Sequence, residues 1–229
     1  MDIVDSRQVT PAQLGEFYDA VLAPSFPLSE LAPRAELLAG LHDPAGAMRA
    51  ALAVAATGEI IGGAVGEWFP DCRVLLVTYL ATRPGQRGGG VGREVLRAVM
   101  AQWRRSIAPL LVVGEVEDPR HHRDNGFGDP VRRLRFYASE GAEVIDVPYF
   151  QPALRSDGDR VRNLLLMTFA VDPACRRDDG VDSATVRCFL ERNLEGIEGH
   201  VGDDPETTAL WAALAAPTVP LLDPRPLLL

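Results

Sequence analysis

Lysine is missing from this chain: all 23 basic residues among its 229 are arginine. That excludes a Walker-type phosphate loop and a pyridoxal Schiff base, both of which need a lysine amine. An arginine-only complement is what a GC-rich bacterial genome produces, and such a source is expected. Cysteine is scarce too. Cys72, Cys175 and Cys188 are odd in number and far apart, so neither a disulfide framework nor a CxxC metal knuckle is expected, and a reducing cytoplasm fits best. The amino-terminal residues Met1-Asp2-Ile3-Val4-Asp5 are acidic and lack the basic-then-apolar order of a secretion signal. No apolar run approaches the roughly 20 residues of a membrane span. Positive charge is also short: the net charge is -9 and the pI about 5.0. This argues against a nucleic-acid partner and would steer a cationic substrate favourably, although many proteins are acidic for no such reason. His121-His122 is expected to lie in a solvated loop and not to form a metal site, because adjacent histidines do not readily face one ion and no acidic or cysteine partner has ligand spacing.

What is present is a core. With 47% hydrophobic residues the chain can bury one sizeable interior plus a small appendage. A short strand is expected near 2–8. Thr10-Pro11 then opens a helix carrying Leu14, Phe17, Tyr18, Val21 and Leu22, and a second helix covers 29–41. Met48–Ala56 and Glu59–Trp68 read as a hairpin turned at Thr57-Gly58. The strand 73–81 follows, and then a helix over 91–106 with Val91, Val95, Leu96, Val99 and Trp103 on one face. A strand at 110–116, a helix at 131–140 stopped by Gly141, and strands at 143–150 and 162–171 complete the pattern. The order predicts a mixed α/β (α+β) fold with a mostly antiparallel central sheet flanked by helices. We place this domain at 1–171. A polar linker (172–182), a helix (183–195), a helix capped by Asp204-Pro205 and an apolar, proline-broken end form a helical extension over 172–229.

Between strand and helix at 82–91 stands Arg87-Gly88-Gly89-Gly90-Val91-Gly92. A strand running into glycines and then a helix gathers unpaired N–H groups at the positive end of a helix dipole, which suits a phosphate. A dinucleotide loop would want a third glycine where Arg93 stands. A purely structural glycine turn and a coenzyme A site stay open on the loop alone.

The loop resembles the signature Arg/Gln-x-x-Gly-x-Gly/Ala of the GNAT superfamily, with Arg87, Gly90 and Gly92 in the matching places. Tyr79-Leu80-Ala81-Thr82-Arg83-Pro84 resembles the family's fourth strand and its exit. Leu134-Arg135-Phe136-Tyr137-Ala138-Ser139-Glu140-Gly141-Ala142 resembles its later helix, and the likeness spans about 45–171. Two positions depart: Pro130 and Arg133 stand where the family often has asparagine and alanine.

The resemblance implies a transferase using acetyl-CoA as co-substrate and no metal. The pyrophosphate would lie on Arg87, Gly88, Gly89, Gly90, Val91, Gly92 and Arg93, and the pantetheine arm on main-chain groups of Leu80 and Thr82. It points to Tyr137 as the acid that protonates the departing thiolate. A tyrosine at a helix–sheet contact with a satisfied hydroxyl is the plainer account. Glu115 and Glu117 share parity with Leu111 and Val113 on an apolar strand, which makes either a candidate base for the amine proton. Alternatively, the strand frays at Gly114 and both carboxylates are solvated or paired with arginines. Tyr149, Gln151 and Glu67 are substrate-contact candidates, while Trp68 reads as core. No cysteine has a nucleophile's context, so transfer is expected to be direct, to a primary amine of a small molecule. A coenzyme A-binding sensor without turnover is the competing reading, and a homodimer is compatible with either.

Overall fold

The computed structural model describes every residue except 29, 87–89, 125, 154–158 and 229. It divides into two compact units, Met1–Trp68 with Leu76–Ala108, and Phe69–Leu75 with Pro109–Leu229.

In the first unit, β1 (Asp2–Asp5) pairs antiparallel with β2 (Met48–Val54), and β2 with β3 (Ile60–Phe69), in a register running from Met48↔Glu67 to Ala53↔Gly62. β4 (Val74–Thr82) lies beside β3. The hairpin turn falls at Gly58 as expected, with φ at 87°. Gly63 is required for another reason. A Cβ there would stand 2.6 Å from the Ala51 carbonyl oxygen and 2.9 Å from the Phe17 ring, so helix and sheet could not approach as they do. That helix, α1 (Pro11–Phe17), begins with Pro11 in its first turn and a reciprocal cap between Thr10 and Gln13. It runs on through Tyr18–Leu22 as a wider π-type turn. α2 (Arg34–His42) starts later than expected, because Pro33 supplies the extended residue that precedes it. Leu14, Phe17, Val21, Leu22, Leu37 and Leu41 pack on Leu52, Ile60 and Val65. α3 (Val91–Ser106) buries Val95, Leu96, Val99, Met100 and Trp103, the face that its periodicity predicts.

The first strand is shorter than the expected 2–8. The Asp5 carboxylate accepts the Arg7 main-chain N–H at 2.9 Å, and this local bond turns the chain out of the ladder.

In the second unit the strand order is β5-β7-β6-β9-β8. β5 (Leu111–Glu117) and β6 (Glu143–Ile145) flank β7 (Leu164–Val171), and β9 (Thr218–Leu222) joins β6 to β8 (Gly180–Asp182). Every one of these pairings is antiparallel. α4 (Pro130–Ser139) is capped by Asp129, α5 (Ser183–Glu198) by Asp182 and α6 (Pro205–Ala213) by Asp204. Leu134 of α4 packs on Val116, Val144, Leu165 and Met167. Two strands come from residues read as linker and proline-broken end: Gly180–Asp182 and Thr218–Leu222. Conversely, the strand expected over 143–150 stops at Ile145, where Pro148 and tight main-chain turns at Val147 and Tyr149 take over.

The cysteines need a correction. Cys72 and Cys188 form a disulfide with Cα atoms 5.7 Å apart, and only Cys175 is free. Wide spacing in sequence, 116 residues, says nothing about spacing in space once α5 packs Phe189 edge-on against Phe69 at 5.1 Å. The inference to a reducing compartment rested on unpaired cysteines and loses that premise.

Candidate active site

The phosphate-binding candidate belongs to the first unit. β4 delivers the chain to Arg83, whose main-chain N–H donates to the Ile61 carbonyl at 2.9 Å. Its guanidinium donates to the Ile60 carbonyl at 2.7 Å and pairs with Glu59 at 3.1 Å and with Glu16. The exit of β4 is thus fixed by a three-way clamp, of which the local sequence shows only a proline-containing approach.

Beyond it, Arg87, Gly88 and Gly89 lie outside the described residues. Gly90 stands as N-cap of α3 with φ at 84°, and no side chain among the described residues caps that end. Its main-chain carbonyl accepts from Arg93 and Glu94, at 3.0 and 3.1 Å, which leaves the earlier N–H groups of Val91 and Gly92 outside those two bonds. Among the described residues, a Cβ at Gly90 would meet nothing within 4 Å, and one at Gly92 only the Thr82 methyl at 3.8 Å. Uncrowded N–H groups at the positive end of a 16-residue helix suit a diphosphate. Leu80 and Thr82 are half-buried on the same face of β4 as exposed Thr78. Glu67, on β3, is half-buried, and its pKa is raised by that burial.

The carboxylate candidate belongs to the second unit. β5 does not fray at Gly114: it stays in register with β7 through Glu115↔Leu166 to Glu117↔Leu164. The two glutamates have different surroundings. Glu117 forms an ion pair with Arg133 at 2.9 Å and lies 3.9 Å from a ring nitrogen of His122. Glu115 pairs with no cation among the described residues. Its Oε1 accepts the Tyr149 hydroxyl, and its Oε2 accepts the Gln151 side-chain amide at 2.7 Å. Burial pushes the Glu115 carboxyl up, and the two hydrogen bonds counter this only in part. Tyr149, 4% exposed, is driven well above the usual phenol value by burial and by the adjacent carboxylate. Three residues read from the sequence as a base candidate and two independent substrate contacts are therefore one hydrogen-bonded cluster.

Tyr137 lies on α4 with its ring 5.3 Å from Phe136 and 4.9 Å from Phe169 of β7. The helix–sheet contact is as expected. Its hydroxyl, however, makes no hydrogen bond to any described residue. Burial raises its pKa against a smaller opposing pull from Arg133, which keeps it a protonated phenol at neutral pH. The departures at Pro130 and Arg133 also acquire uses: Pro130 starts α4 and Arg133 holds Glu117.

A strand running into a glycine-led helix start, within a largely antiparallel α/β framework, is the arrangement that the resemblance to the GNAT superfamily implies. Residues 14–125 match the profile of the acetyltransferase (GNAT) family. A search of curated proteins finds no match. Among solved structures, a GNAT-family protein from Bacteroides thetaiotaomicron is 20% identical with a TM-score of 0.61, over 86% of this chain and 98% of that one. An aminoglycoside 6'-N-acetyltransferase complexed with coenzyme A gives 15% and 0.54, over 76% and 99%. A Chaetomium thermophilum protein in complex with a bisubstrate analogue gives 18% and 0.51, over 81% and 99%. At these identities the likeness is one of fold.

Proposed function

We propose that the protein is an acetyl-CoA-dependent N-acetyltransferase that passes the acetyl group directly to a primary amine of a small molecule, with Glu115 as general base and Tyr137 as general acid. The observation that carries this is Glu115 itself, a buried carboxylate with a raised pKa, bonded to two neutral donors and, among the described residues, to no cation. Such a group suits a general base, whereas Glu117 is already engaged in an ion pair with Arg133. Support for the donor comes from the uncrowded start of α3 and from the solved relative that holds coenzyme A.

In this reading the α3 N-terminus holds the pyrophosphate and Leu80 and Thr82 align the pantetheine arm. Glu115 takes a proton from the ammonium form of the acceptor, directly or through water. The freed lone pair attacks the thioester carbonyl carbon, the C–S bond breaks, the thiolate leaves with the Tyr137 proton, and the second proton shed by the new amide nitrogen returns to the Tyr137 phenolate through water. No enzyme-bound acyl group forms. A similar relative acts on aminoglycosides, which favours a small polar amine, and the chain's net charge of -9 would draw in a cation.

The test is thiol release from acetyl-CoA across a panel of aminoglycosides, polyamines, amino acids and short peptides. Acceptor-dependent release with kanamycin- or spermidine-like amines, and an acetylated amine by mass spectrometry, is the expected result. Tight coenzyme A binding without acceptor-dependent release would instead establish a sensor.

A further inference from the structure

Gln151, which holds Glu115, is itself held from the opposite direction. Its main chain forms a reciprocal pair with Val161, at 2.9 and 3.0 Å, so 149–153 and 159–162 face each other as two arms. Arg160 sits on the second arm, 14% exposed, with its guanidinium 4.3 Å over the ring of buried Phe150 on the first. Two helices of the C-terminal extension grip that guanidinium. Glu198, at the end of α5, accepts from Nε at 2.8 Å and from a terminal nitrogen at 2.7 Å. Asp204, the cap of α6, accepts at 2.9 Å. Glu198 also accepts the Ala153 main-chain N–H at 3.2 Å, so both arms end on one carboxylate.

These bonds outdo what folding alone requires of the cap, since Asp204 already caps α6 through the N–H groups of Glu206 and Thr207. Arg160 is held in its charged form, its pKa pushed far up by Glu198 first and Asp204 next, and a fork pinned at both ends has little freedom. The side chains on either side of Phe150 in sequence are Tyr149 and Gln151, the two donors to Glu115. A shift of Phe150 therefore moves both donors together.

We propose that Arg160 is a positioning residue: clamped by Glu198 and Asp204 of the C-terminal extension, it fixes the Tyr149–Gln151 arm and thereby the orientation of the Glu115 carboxylate. The extension is thus a working part of the acceptor half of the enzyme. The proposal rests on Glu115 being the base for its kinetic consequence, but not for its structural one.

The experiment labels the four tyrosines with carbon-13 at Cζ in the full chain and records their resonances at neutral pH. Tyr149 is assigned by its loss in Tyr149→Phe, and Glu115→Gln marks where its signal moves when the carboxylate bond is gone. In Arg160→Met the Tyr149 signal is expected to move towards that position while Tyr18, Tyr79 and Tyr137 keep theirs. In parallel, kcat with an active amine of the panel is expected to fall roughly tenfold with KM for acetyl-CoA unchanged, and to fall no further when Arg160→Met is added to Glu115→Gln. Should Arg160→Met disturb all four signals, Glu198→Gln, which keeps the shape and loses the charge, takes its place. An unmoved Tyr149 signal in a folded variant would overturn the proposal, as would equal losses of kcat in the wild-type and Glu115→Gln backgrounds. If Glu115→Gln leaves kcat intact, the base assignment fails, and the Tyr149 signal still decides the clamp.

Discussion

The phosphate-binding candidate of the first unit and the carboxylate candidate of the second are built on opposite principles. At the start of α3 the working groups are main-chain N–H groups, made available by an absence of side chains at Gly90 and Gly92. Around Glu115 the working groups are side chains drawn from β5, from the turn after β6 and, through Arg160, from two further helices. A main-chain site is written in consecutive residues and tolerates change elsewhere. A side-chain cluster spreads its specification over the chain and is exposed to loss at each contributor.

The largest expected effect strikes the cluster. Glu115→Gln should lower kcat by about a hundredfold or more at neutral pH, with acetyl-CoA binding retained, as titration calorimetry would show. Because the base must be ionised and burial raises its pKa, wild-type kcat/KM should climb with pH through a midpoint above the ordinary glutamate value. A midpoint at 4.5 or below would transfer the role elsewhere. Tyr137→Phe comes next, with kcat down about tenfold to a hundredfold, and least affected with an acyl donor whose thiol is more acidic; undiminished turnover would dispose of the acid role. Gly90→Val sharpens the contrast from the other side. A β-branched residue at φ 84° is strained, so KM for acetyl-CoA should rise about tenfold while the Glu115-dependent pH profile keeps its midpoint.

The smallest effect is one of stability. Partial burial opposes ionisation of Asp204, but the N–H and hydroxyl of Thr207 and the Arg160 guanidinium outweigh it and bring its pKa from 3.8 to about 2. A depressed carboxylate stabilises the fold above its unfolded pKa, and that contribution disappears as pH falls towards the folded value. Between pH 4 and 2 the wild-type Tm should therefore drop more steeply than that of Asp204→Asn.

The same contrast governs what could be read from sequence. Repeating apolar positions fixed α3 and α5, the parity of Leu111, Val113 and Glu115 gave β5, and the glycines marked the start of α3. β8 and β9 were hidden because three and five residues are too few to show a period, and Pro220 interrupts the second. Glu115 could be singled out as a charge on an apolar strand. Its partners could not, since Tyr149 and Gln151 lie 34 and 36 residues away and the local sequence carries no trace of the pairing. The Arg160 clamp was beyond reach for the same reason, its contacts spanning 38 and 44 residues. Cys72 and Cys188 were visible as residues, but their pairing depends on where α5 comes to lie.

That covalent link has a further consequence. The bond joins the turn between β3 and β4 to the middle of α5, closing a ring that contains β5, β6, β7, α4 and every residue of the Glu115 cluster. A protease that cuts once anywhere between Cys72 and Cys188 leaves two fragments that still travel together until a reductant is added. Survival of a nick in the loop at 118–124 is thus a matter of redox conditions as much as of sequence.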